Sequence, residues 1–161
     1  MHINTARFGE IDIADEKIVT FNEGLPGLED LKKFALITTE ETEPFRWFQS
    51  MNDPDVALVV LDPQILFPAY SVKIPTEVSE ELGIENETDV LILTVAVVPK
   101  DFRGMTANLV SPLVINARKN LGKQVIMQNS EYQIRQPIFF LLQDYINNKE
   151  DDGDAGTDAQ S

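Results

Sequence analysis

Apolar and polar residues alternate with period two along much of this chain, the pattern of strands that bury one face and wet the other. It predicts strands at Ile3 to Phe8, Glu10 to Ile13 and Lys17 to Phe21, which are close enough in sequence to form a meander. Further β-rich runs are Phe34 to Thr39, Phe45 to Ser50, Val56 to Leu61, Val90 to Val98, Leu113 to Asn116 and Gln124 to Gln128. Their spacing predicts a mainly β fold, a small antiparallel barrel-like single domain with a few short helices. Helical signals are brief. Leu28 to Lys33 opens with acids and ends with lysines, as a helix dipole favours, and predicts one or two turns. Thr76 to Leu82 follows Pro75 and stops at Gly83. The apolar run over 137–146 suits a helix or a buried strand, with a helix preferred.

A chain of 161 residues with 43% hydrophobic content supports one core. The expected division is a β domain over 1–146 and an acidic, disordered tail over 147–161, where apolar content gives out. No run approaches the roughly 18 apolar residues that span a bilayer, and the N-terminus lacks a leader's apolar stretch, so a cytoplasmic protein without membrane contact is expected. The net charge of -14 is uneven. Residues 1–99 hold 19 acids against 6 bases, residues 100–149 hold 3 against 7, and residues 150–161 hold 5 acids. Such an anion disfavours direct nucleic-acid binding and favours fast, salt-sensitive association with a basic partner.

Catalytic equipment is sparse. The chain has no cysteine, and its one histidine is His2, so no nitrogen and sulfur metal site, catalytic residue or cofactor site is expected. Carboxylates cluster at Asp12/Asp15/Glu16, Glu40/Glu41/Glu43 and Glu80/Glu81, but in polar stretches where a solvated surface is the simpler reading. Asp151 to Asp154 lacks the twelve-residue loop of a calcium site. Gly24-Leu-Pro-Gly27 lacks the lysine and hydroxyl of a phosphate loop and suits a type II turn instead. In Phe45 to Ser50, alternation places Phe45 and Trp47 on one face, with Arg46, Phe48 and Ser50 on the other. The loop from Phe102 to Pro112 is the candidate recognition surface, with Phe102, Met105, Thr106, Asn108 and Leu109 as its contact residues, although a turn cap is an equal reading of Asn108. Replacing Met105 and Leu109 by serine is then expected to weaken binding and leave the fold intact.

Several of these segments together resemble the flagellar assembly factor family, FliW. The similarity is carried by Phe21 with Gly24-Leu-Pro-Gly-Leu-Glu29, Pro44-Phe45 with Gln49-Ser50, and Thr106-Ala-Asn-Leu109 with Pro112. Val114-Ile-Asn116, Gln124-Val-Ile126, Tyr132 and Pro137 continue it in order over about residues 1–140. Leu28 stands where the family often has phenylalanine, and Phe48 where leucine is common. The resemblance implies a small β-barrel-like protein that binds flagellin and, alternatively, the RNA-binding translational repressor carbon storage regulator, CsrA. Sequestration rather than catalysis would be the mechanism, relieving the block on flagellin synthesis; the alternative is a flagellin-specific chaperone without effect on the repressor. Glu40, Glu41 and Glu43 form the acidic patch expected to act on a docked RNA-binding surface, and an unfolded flagellin segment could enter an apolar groove or extend an open sheet edge.

Overall fold

The computed structural model describes residues 1–128 and 130–160, with side chains as far as Lys149 except at Asn129. The strands are β1 (His2–Thr5), β2 (Gly9–Asp12), β3 (Ile18–Thr20), β4 (Lys33–Thr38), β5 (Arg46–Ser50) and β6 (Ala57–Leu61). They continue as β7 (Val90–Val97), β8 (Thr106–Ala107), β9 (Leu113–Asn116), β10 (Leu121–Gln124) and β11 (Gln136–Pro137). Among the described residues there are two α-helices, α1 (Thr76–Glu81) and α2 (Phe139–Gln160), with short 3-10 turns between elements. The helix preferred over 137–146 is thus α2, which passes Asn147 without a break. The acidic tail expected over 147–161 falls largely outside the residues with described side chains.

Strands β7, β6, β5, β4, β3, β10 and β9 form a ring, closed because β9 pairs back with β7. Seven strands cannot all be antiparallel in a closed ring, since alternating directions return to register only for an even number. One parallel seam is therefore obligatory, and it lies between β3 and β10, with the single register pair Leu121 to Thr20. Every other pairing in the ring is antiparallel. The long strand β7 makes closure possible: Val90 to Leu93 pair with β9, while Ala96 and Val97 pair with β8.

Alternation sorts side chains into an interior and an outer layer. Phe21, Phe34 and Phe48 are fully buried inside the barrel and meet edge to face with centroids 5.8 to 6.3 Å apart. Gly122 faces this cluster for a steric reason, because a Cβ there would lie 2.6 Å from Phe21 Cε1. On the outer side, Leu61, Tyr70, Met105, Leu109, Ile138 and Leu142 form a second buried cluster beneath α2. A third cluster, Val78, Leu82, Val114 and Val125, seats α1. Strand β5 is covered on both faces, more than the half-buried strand its alternation suggests: Phe48 points inward, and Trp47 lies under Phe8 and the Arg7 guanidinium, 4.2 Å from its ring.

Four expectations are corrected. Strands β1 and β2 pair only with each other, so the first three strands form no meander, and β3 pairs with β4 and β10 instead. Leu28 to Lys33 is not helical; it is a pair of tight turns in which Leu28 N–H bonds Leu25 O and Leu31 N–H bonds Leu28 O, and Lys33 begins β4. Packing of Leu25, Leu28 and Leu31 against the barrel core outweighs a dipole preference of about 0.3–1 kcal/mol. The strand expected over 124–128 sits earlier, at Leu121–Gln124, because Gly122 must face Phe21. The presumed loop 102–112 contains β8, and its Met105 and Leu109 are core residues with 8% and 0% exposure.

Candidate functional site

The Gly24 to Glu29 segment folds over the barrel end next to the parallel seam. Gly24 has φ +70, and a Cβ would fall 2.6 Å from Glu29 Cα, so only glycine lets these two backbones meet. Gly27, at φ 82, supplies the left-handed third residue that the expected type II turn needs. Its N–H donates to Glu29 Oε1 at 3.1 Å. Backbone hydrogen bonds from Glu29 and Gly27 hold the Glu29 carboxyl below its ordinary range, so it stays anionic at the rim.

Asn108 stands opposite. Its Oδ1 accepts Val110 N–H at 3.2 Å and Ser111 N–H at 3.1 Å, the turn-capping role that competes with recognition for this residue type. With Pro26 and Gln124 it borders two adjoining clefts of about 300 and 440 Å³. Apolar walls come from Leu25, Leu28, Leu58, Val95 and Leu113, and the charged rim from Glu23, Glu29 and Lys123. Lys123 Nζ bridges Glu81 at 2.8 Å and Glu23 at 3.0 Å, and those bonds raise its pKa. Three segments far apart in sequence, around residues 24, 108 and 124, thus meet in one groove.

The remaining expected contact residues are divided. Thr106 lines the groove, whereas Met105 and Leu109 are buried in the outer core and anchor it from behind. Phe102 is 58% exposed and stands beside Phe139, 5.6 Å between ring centroids, away from the groove. Glu40, Glu41 and Glu43 are exposed on a 3-10 turn before the cis Glu43-Pro44 bond. Glu40 and Glu43 share a 630 Å³ cleft with Arg46, Tyr145 and Lys149, so the patch faces cations as well as solvent. Glu23, Leu25, Lys123 and Gln124 escaped the sequence reading as groove residues, because only closure of the barrel brings them together.

Among the described residues no group of three or more His, Asp or Glu side chains is arranged to hold a metal, and no helix is long and apolar enough to cross a membrane. The FliW family profile, described as FliW protein, matches residues 2–138. The chain belongs to the FliW family. A flagellar assembly factor FliW of Thermoanaerobacter pseudethanolicus is 42% identical over 149 residues, covering 92% of this chain and 99% of the relative. That of Caldanaerobacter subterraneus is 42% identical over 139 residues, with 86% and 93% covered. A crystal structure of the flagellar assembly factor FliW superposes with a TM-score of 0.79 at 37% identity, covering 86% of this chain and 97% of that one. The barrel, its seam and the groove therefore lie within the span this chain shares with other FliW proteins.

Behind the groove of this FliW chain, Tyr70 and Tyr132 fix the outer layer. The Tyr70 hydroxyl donates to Leu109 O at 2.8 Å, and the rings of Tyr70 and Tyr132 meet at a 54° tilt with centroids 4.8 Å apart. Burial, with a smaller contribution from Tyr132, pushes the Tyr70 phenol from 10.0 up to about 12. The folded value exceeds the unfolded one, so this stabilisation is complete below about pH 10 and disappears as pH rises towards about 12. Tyr70→Phe is expected to lose about 1–2 kcal/mol at neutral pH, by stranding a buried carbonyl, and to show a shallower decline between pH 9.5 and 11. Urea unfolding at several pH values measures both effects.

Proposed function

We propose that this FliW-family chain is a flagellar assembly factor that binds flagellin and, in alternation, captures CsrA, so that export of flagellin frees it to relieve repression of flagellin translation. The observation that carries the proposal is the likeness over residues 2–138 to proteins described as flagellar assembly factors. Sequestration by surface contact also suits a chain whose Glu40, Glu41 and Glu43 carboxylates lie on an exposed turn. Its first 99 residues, with 19 acids against 6 bases, favour fast docking on a basic RNA-binding protein. Once docked, close acids repel RNA phosphates, an effect confined to about 8 Å at physiological salt. Glu40, Glu41 and Glu43 are exposed, with Arg46 and Lys149 beside Glu40 and Glu43.

The test titrates the protein into a complex of CsrA with flagellin leader RNA, then adds flagellin, and follows RNA release by mobility shift. Release that flagellin reverses is the expected result. Flagellin binding with an undisturbed RNA complex would reduce the role to that of a flagellin-specific chaperone. In the same assay, replacing all three glutamates by glutamine should raise the concentration needed for release; an unchanged titration would remove that patch from the mechanism.

A further inference from the structure

We propose that the groove at the parallel seam binds an extended peptide by strand addition to the free edge of β10, selecting apolar residues alternating with basic ones. The backbone supplies the first reason. Val125 N–H donates to Pro112 O at 2.9 Å and Met127 N–H to Val110 O at 2.8 Å, so these amides face the β9 side. Successive amides in extended chain point to opposite edges, which turns the N–H groups of Gln124 and Ile126 towards the seam. Strand β3 would cover them if it continued, but it ends at Thr20, and the chain turns away as Gly24 N–H bonds Phe21 O. Neither the Gln124 nor the Ile126 amide has an acceptor among the described residues. The groove occupies the place of the missing strand.

Its walls supply the chemistry. Leu28, Leu58 and Val95, each only partly buried, would receive side chains from one face of an added strand. Three carboxylates, Glu23, Glu29 and Glu81, stand at or beside the rim against one ammonium, Lys123, which two of them already engage. A basic side chain on the strand's other face would complement this excess. The chain's own C-terminal segment, with five acids in residues 150–161, has the wrong sign to fill the groove. Ile126, 67% exposed beside the free edge, offers apolar contact at the groove's far end.

Hydrogen exchange followed by NMR on the full-length, 15N-labelled protein tests this directly. The probes are an eight-residue peptide alternating valine with lysine and its valine-glutamate counterpart. At saturation the lysine peptide should slow exchange of the Gln124 and Ile126 amides at least about tenfold, and the glutamate peptide should not. Protection elsewhere only, or none, overturns the proposal. So does protection of these amides that grows with protein concentration in the absence of peptide, which would make a second copy the occupant.

Ile126→Pro deletes an N–H that the barrel does not use and should weaken peptide binding about tenfold, whereas Ile126→Ala retains most of it. If Ile126→Pro does not fold, the wild-type exchange result alone decides. The groove proposal goes beyond partner switching and is separable from it. A wild-type protein that takes up the lysine peptide but ignores flagellin and CsrA defeats the partner-switching role alone. One that binds both partners while its Gln124 and Ile126 amides stay unprotected by the peptide defeats the groove alone.

Discussion

Leu109→Ser is expected to cost about 3–5 kcal/mol and to leave the chain largely unfolded at 37 °C, because it opens a cavity and buries a hydroxyl in the layer beneath α2. Leu109 has 0% exposure, its N–H bonds Gln133 O, and its carbonyl accepts the Tyr70 hydroxyl. Such a loss is a large fraction of the whole stability of a typical domain, about 5–15 kcal/mol. Met105→Ser acts in the same direction from the same cluster. Phe102→Ser, at an exposed ring that touches Phe139, should cost less than about 1 kcal/mol. Thermal and urea unfolding of the three variants separates them. A Leu109→Ser protein with an unchanged midpoint would show that the loop is a surface after all.

The second large effect is expected at Asn116, one polar side chain that ties three elements together. Its Nδ2 donates to Leu82 O at 2.9 Å and Gly83 O at 3.2 Å, at the C-terminus of α1. Its Oδ1 accepts Arg118 N–H at 3.0 Å and Lys119 N–H at 3.3 Å, shaping the turn from β9 to β10. Asn116 is 1% exposed, so water cannot take over these bonds when the carboxamide is removed. Asn116→Ala should lose about 3–4 kcal/mol, with each stranded buried group costing about 1–3 kcal/mol before relaxation. Faster amide exchange at Leu82 to Ile84 should accompany the loss, and its absence would show that α1 is held by packing alone.

Both variants bear on the proposed function through the turn and loop that frame the groove. The stretch from Asn116 to Leu121 sets where β10 meets β3, and Leu109 anchors the segment that presents Thr106 and Asn108. Loss of partner binding in either variant would therefore report lost architecture. Surface tests belong at the Glu40 to Glu43 turn and at Ile126, where side chains are exposed and the core is untouched.

Local patterning made β3 to β7 and β9 legible, because period-two alternation reflects which side chains face a core and needs no distant partner to be read. The stop of α1 was equally plain, since Gly83 at φ +65 allows Ile84 N–H to reach back to Ser79 O. A signal for the buried part of the 102–112 segment was also present. Met105, Ala107 and Leu109 alternate, and all three are core residues, while the neighbouring glycine, asparagine and serine made the segment look like a loop. At Leu28 to Lys33 the order of charges suggested a helix, but the three leucines before and within it had a stronger claim on the barrel end.

The sequence by itself determined the class of fold, the anionic surface, the poverty of catalytic groups and the family resemblance, since all of these are properties of residue type and near spacing. Tertiary structure alone decided that seven strands close through one parallel seam, that Gly122 leaves room for Phe21 there, and that Glu23, Asn108 and Gln124 border a common groove. The reason is physical. Alternation states that a residue is buried or exposed, but a strand edge is free or covered according to which distant strand pairs with it, and that is fixed only when the ring closes.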